Sequence, residues 1–180
     1  MENQEQDSQE QESQEQQRTH ILVAVTKSSK KGYPNPSKRS RAALEWILEN
    51  IVRHNVDRFN LQILHVQYPN ASDEEYEDGV NMLEYFEFEC HKIGAAYVAW
   101  IAQGPDPKIV ICNEVERLNA DLLVMGTGKL GSIRRFFNRI RGESASAFCL
   151  KYAECPVITV SEKATKRHIA LQELRQTSSM

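Results

Sequence analysis

Short apolar runs alternate with longer amphipathic stretches along most of this chain. Residues 20–26, HILVAVT, bring Ile21, Leu22, Val23 and Val25 into an almost unbroken aliphatic run. A run without polar alternation predicts a strand buried on both faces, as in a parallel sheet. Four more strand segments follow: FNLQILHV at 59–66, AAYVAWI at 95–101, and the apolar runs LLVM at 122–125 and PVITV at 156–160. Between them the apolar period lengthens to that of a helix. Leu44, Ile47, Leu48 and Ile51 form one stripe within 37–54, with Trp46 at its margin. Met82, Leu83, Phe86, Cys90 and Ile93 form a second within 73–93, read as a core face rather than a cofactor site. Ile111, Cys112, Val115 and Leu118 form a third, and a shorter helix is predicted over 144–152. Boundary residues agree with these spans. Asp73, Glu74 and Glu75 suit a first helical turn, and Gly94 suits a stop. Asp106 is an N-cap, Pro107 fits the first helical position, and Asn119 ends the third helix. The order β-α-β-α-β-α-β-α-β with short connections predicts one doubly wound α/β domain over 20–161.

Both ends break the pattern. Residues 1–18, MENQEQDSQEQESQEQQR, hold six acids against Arg18 and no large apolar residue after Met1. Such a segment buries too little surface to offset its ordering entropy and is predicted to be a disordered acidic tail. Setting it aside changes the charge reading. The chain carries −3 overall, the tail −5, and the remaining residues +2. That small balance gives no global field for nucleic acid. Residues 162–180 form a polar C-terminal tail with room for a short helix. No apolar run approaches the ~18 residues of a membrane span, and the polar N-terminus is unlike a secretory signal. Cys90, Cys112, Cys149 and Cys155 form no CxxC pair and sit in apolar contexts. They read as reduced thiols of an intracellular protein, cytoplasmic or also nuclear, without a metal site.

Candidate chemistry gathers where strands end. After LLVM come Gly126, Gly128 and Gly131, then Arg134, Arg135, Arg139 and Arg141, Gly142, and the helix that starts near Ser144. A strand feeding a glycine loop and then a helix N-terminus is one way to hold phosphate, because the backbone can approach closely and offer free N–H groups. The alternative is a tight crossover loop with solvated arginines. A second basic group, Lys27, Lys30, Lys31, Lys38, Arg39 and Arg41, contains no acid and follows the first strand. Ligands of doubly wound sheets bind at the carboxyl ends of strands. The loops after Thr26, Val66 and Met125 are therefore expected to meet, with both basic groups on one edge.

Taken together, ILVAV at 21–25, RAALEWIL at 41–48, LQILHV at 61–66, QGPDPKIVI at 103–111, ADLLVMGTGKLG at 120–131 and AECPVITV at 153–160 resemble a universal stress protein domain. The resemblance is to the UspA-like branch of the adenine-nucleotide alpha-hydrolase-like fold, in its plant-type form. It covers about residues 20–161. It implies a five-stranded parallel sheet in order 3-2-1-4-5. It also implies a homodimer, or a heterodimer with a related domain, through the last strand at Pro156, Val157, Ile158 and Val160. It further implies a site for ATP or another adenine nucleotide. Nucleotide-binding members carry Asp at the end of strand one, where this chain has Thr26. They also follow Gly-x2-Gly-x9-Gly-Ser/Thr. Gly128 and Gly131 match the first half, Gly142 falls one position late, and Glu143 stands directly before Ser144. By this resemblance Thr26, Val66, Gly126, Gly128, Gly131, Gly142 and Ser144 form the nucleotide site. Glu143 is expected to oppose phosphate unless an arginine such as Arg139 or Arg141 offsets it.

Acid–base candidates are few. Of His20, His54, His65, His91 and His168, only His65 falls near the predicted mouth, and a buried, hydrogen-bonded histidine explains it better. No Ser-His-Asp set or carboxylate pair falls on that edge. Three function classes stay open. One is a stress or signalling module that binds an adenine nucleotide or another anion, with a possible signalling-protein partner. Another is a dimerising interaction domain without nucleotide. The third is a slow ATP hydrolase.

Overall fold

The computed structural model describes residues 18–128 and 143–162. The five apolar runs form one parallel sheet. Its strands are β1 (Thr19–Val25), β4 (Phe59–Gln67), β5 (Ala96–Gln103), β6 (Leu122–Thr127) and β7 (Val157–Ser161). They lie side by side as β5-β4-β1-β6-β7, which is the 3-2-1-4-5 order among the parallel strands. β1 is central, and four of its residues, Ile21, Leu22, Val23 and Val25, are almost completely buried. This is why its sequence shows no alternation. The reversal of strand order falls between β1 and its neighbours β4 and β6. A crevice forms there outside the strand ends.

Two cores sit on the two faces. On one face α1 (Lys38–Asn50) and α2 (Asp73–Lys92) cover the sheet, placing Leu44, Ile47, Met82 and Phe86 against Ile21, Val23 and Ile63. On the other face α3 (Pro107–Arg117) and α4 (Ala145–Tyr152) place Ile111, Val115 and Cys149 against Leu22, Leu64 and Leu123. Among the described residues, no helix is long and apolar enough to cross a membrane.

Local signals set the helix ends. The Ser37, Ser72, Asp106 and Ser144 side chains each accept a backbone N–H of the first turn, from Ser40, Glu75, Lys108 and Ala147 respectively. Such caps each contribute about 1 kcal/mol. α2 stops at Gly94, whose φ of 70° is easy only without a side chain. Helix α1 is shorter than its apolar stripe. It ends at Asn50, and two 3-10 turns, Val52–His54 and Val56–Arg58, complete the path to β4. Val52 is nevertheless fully buried, so the pattern reports burial beyond the regular helix.

The segment predicted as a loop after β1 is an antiparallel hairpin, β2 (Lys27–Ser28) with β3 (Gly32–Pro36). Two strands this short, one containing Pro34 and Pro36, carry no alternation that a sequence reading can detect. The neck of the hairpin is closed. Ser37 N–H donates to the Thr26 carbonyl at 2.8 Å, and Thr26 N–H donates to Ser40 Oγ at 2.9 Å.

Candidate functional site

The parallel register brings the carboxyl ends of three strands level, with Val25 opposite His65 and Ala24 opposite Met125. Above them opens a cavity of about 630 Å³, within the range of small-molecule sites. Its apolar wall comes from Leu64, Val66, Ile111 and Met125. Its polar rim comes from Thr26, Ser37, Ser40, Thr127, Ser144 and Ser146, with Gly126 and Gly128 between them. Lys27, Lys30, Lys38 and Arg39 supply positive charge, and Glu162 supplies the one carboxylate among the described residues of this wall.

Five of the seven sequence-predicted site residues, Thr26, Val66, Gly126, Gly128 and Ser144, line this one cavity. Gly131 and Gly142 lie outside the described residues, as do Arg134, Arg135, Arg139 and Arg141. Of the three loops expected to converge, those after β1 and β6 contribute. The loop after β4 does not, and β4 acts through the strand residues Leu64 and Val66. The third contribution comes instead from the start of α3, at Pro107 and Ile111.

Gly126 belongs to β6 rather than to the turn. A Cβ placed there would collide with the backbone carbonyl of Arg39 and come within 2.7 Å of the Arg39 Cβ. The glycine thus lets the first turn of α1 press against the end of β6. This contact fixes the distance between two cavity walls. Beyond β6, Thr127 Oγ1 lies 3.5 Å from Ser146 Oγ, which lies 3.4 Å from Ser144 Oγ. Three hydroxyls therefore stand beside the N-terminus of α4. Ser144 is exposed while capping that helix.

Glu143 departs from its expected place. It does not line the cavity; its carboxylate pairs with Lys151 Nζ at 2.5 Å, two turns along α4. The offsetting charge is thus a lysine of α4, the helix that Glu143 precedes. The basic group after β1 also divides. Lys27, Lys30, Lys38 and Arg39 face the cavity, whereas the Arg41 guanidinium lies over the Tyr85 ring at 5.9 Å.

His65 is 2% exposed and held at both ring nitrogens. Nδ1–H donates to the Val25 carbonyl at 3.1 Å, so Nε2 accepts the Tyr33 hydroxyl at 2.6 Å. Gln67 Nε2 donates both to Tyr33 Oη at 2.9 Å and to the Glu75 carbonyl at 2.8 Å. Burial lowers the His65 pKa, and the Lys27 charge adds to that effect. This imidazole is a neutral strut that joins the hairpin to the sheet. Sequence reasoning placed His65 at the mouth but missed Tyr33, because nothing local marks a loop tyrosine as a core partner. Among the described residues, no group of three His, Cys, Asp or Glu side chains is arranged to hold a metal ion.

Comparison with known proteins matches this architecture to one family. A family profile described as "Universal stress protein family" matches residues 17–161. A universal stress protein A-like protein of Arabidopsis thaliana is 42% identical over 165 residues, which span 81% of this chain and 91% of that protein. A crystal structure of a universal stress protein family protein from Arabidopsis thaliana, with AMP bound, superposes with a TM-score of 0.64 at 46% identity. That match covers 79% of this chain and 91% of the other. A universal stress protein of Archaeoglobus fulgidus in complex with dAMP shares the fold at 20% identity, with a TM-score of 0.55 and coverage of 79% and 98%. By family profile, overall sequence and fold, this chain belongs to the universal stress protein family.

Proposed function

We propose that this protein is a stress-response module whose cavity binds an adenine nucleotide. The single observation that carries the reading is the composition of the cavity. An apolar wall is joined to a hydroxyl-rich helix N-terminus and a lysine–arginine rim at the switch point of the sheet. The wall of Val66, Leu64 and Met125 suits a flat purine. Gly128 and the first turn of α4 offer backbone N–H groups to phosphate, and Lys30, Lys38 and Arg39 supply charge. The AMP-bound Arabidopsis relative, 46% identical, supports adenine as the base. Thr26 stands at the mouth with a hydroxyl, able to bond a ribose or base but without the charge of an aspartate.

Isothermal titration of the full chain with AMP and ATP tests this. Binding below millimolar concentration is expected, and a Val66→Trp variant that fills the apolar wall should lose it. Thr26→Asp should tighten binding roughly tenfold or more if the new carboxylate gains one charged hydrogen bond. A second reading, an interaction module without nucleotide, is favoured by the absence of a carboxylate at Thr26. It takes over if the native chain and Thr26→Asp both leave AMP and ATP unbound.

A further inference from the structure

Three of the four cysteines gather on one face of the sheet, in the core beneath α3 and α4. Cys112 belongs to α3, Cys149 to α4, and Cys155 to the turn that leads into β7. The Sγ atoms of Cys112 and Cys149 are 3.8 Å apart, in van der Waals contact, although 37 residues separate them in sequence. Cys149 is fully buried, whereas Cys112 is partly exposed. Cys112 is therefore the more accessible residue of the pair, and the sulfur of the buried Cys149 is in contact with its own.

We propose that Cys112 and Cys149 form an oxidisable dithiol that a hydroperoxide converts to a disulfide joining α3 to α4. Cys112 loses its proton and the thiolate attacks one peroxide oxygen; the O–O bond breaks and hydroxide leaves as water with that proton, giving a sulfenic acid. Cys149 then loses its proton and its sulfur attacks the Cys112 sulfur. The S–O bond breaks, and the second hydroxide leaves as water with that proton. The balance is two thiols and one hydrogen peroxide giving one disulfide and two waters. The sulfurs must close from 3.8 Å to about 2.05 Å, a movement of the order of a side-chain rotation.

The division of labour follows from the surroundings. Burial and the neighbouring Cys112 push the Cys149 thiol up to about 12, so it is poorly suited to attack peroxide, while its sulfur in contact with that of Cys112 is placed to meet a sulfenic acid formed there. Cys90 is excluded by position, since it lies in the other core beneath α2. The link would tie together helices whose first turns, at Pro107 and Ser146, both line the cavity.

The full chain, reduced and then treated with hydrogen peroxide, is unfolded and alkylated. Its free thiols are counted, and the linkage is mapped by mass spectrometry. The count is expected to fall from four to two, with Cys112 joined to Cys149 within one chain and the change reversed by dithiothreitol. Cys155→Ser should form the same link, and Cys112→Ser, checked for folding by circular dichroism, should form none. Four thiols surviving the treatment, or a link mapped to any other pair, overturns the proposal.

Discussion

At the scale of single residues, two side-chain environments decide most of the behaviour expected of this site. At Gly126 any Cβ meets the Arg39 backbone rather than a yielding side-chain tip. Gly126→Ala should therefore cost about 1–3 kcal/mol, the usual range for overpacking, read as a lower denaturation midpoint in urea. At His65 the burial that lowers its pKa makes stability depend on pH. The unfolded chain takes up the proton near the ordinary value of 6.5, while the folded chain resists it. Stability should be fully present above that value and fall as pH drops from it toward and through the lower folded value. His65→Gln should flatten this slope in unfolding free energies measured between about pH 5 and 7. Glu143 leads to the opposite expectation. Because its carboxylate is committed to Lys151, Glu143→Gly should leave nucleotide affinity within about twofold of native in a calorimetric titration, in contrast to Thr26→Asp.

Among the elements, β7 carries the open question of self-association. It pairs with β6 on one side and forms an edge of the sheet, and its apolar residues Val157 and Ile158 are only partly buried. An apolar edge invites pairing with a second chain. A dimer through Pro156–Val160 should appear in sedimentation velocity. Ile158→Lys should shift it toward monomer, whereas Ile158→Ala removes packing without adding charge and should retain more dimer. Equal populations for the two variants would point to another interface. The elements also show what a sequence can and cannot disclose. β1 and β6 were legible because burial on both faces leaves a continuous apolar run. α2 was legible because its stripe, acidic first turn and terminal glycine agree. The β2–β3 hairpin was not legible, because its order comes from contacts far along the chain, Tyr33 with His65 and Gln67. The cysteine pair was hidden for the same reason, since spacing in sequence says nothing of two helices that meet side by side.

For the whole molecule, the arrangement of strands made the site findable. Once the alternation of strands and helices implied a doubly wound sheet, the crevice had to lie beyond the ends of β1, β4 and β6, and Thr26, Val66 and Gly128 were bound to share it. The contribution of α3 was not foreseeable, because Pro107 and Ile111 read as a helix start and a core position. If the cavity binds AMP, saturation at about a hundred times Kd should add about 2.7 kcal/mol to the stability of the whole domain. That gain would register as an upward shift in melting temperature that Val66→Trp lacks. The closed neck of the hairpin has a broader consequence. With the Thr26 carbonyl and the Ser37 N–H already joined, residues 27–36 hang from the domain as a cassette, pinned inward by its single aromatic side chain, Tyr33. Doubling the length of such a loop costs only about 0.6 kcal/mol. A lineage could therefore exchange this cassette for another and revise what the crevice admits, while the sheet beneath is inherited unchanged.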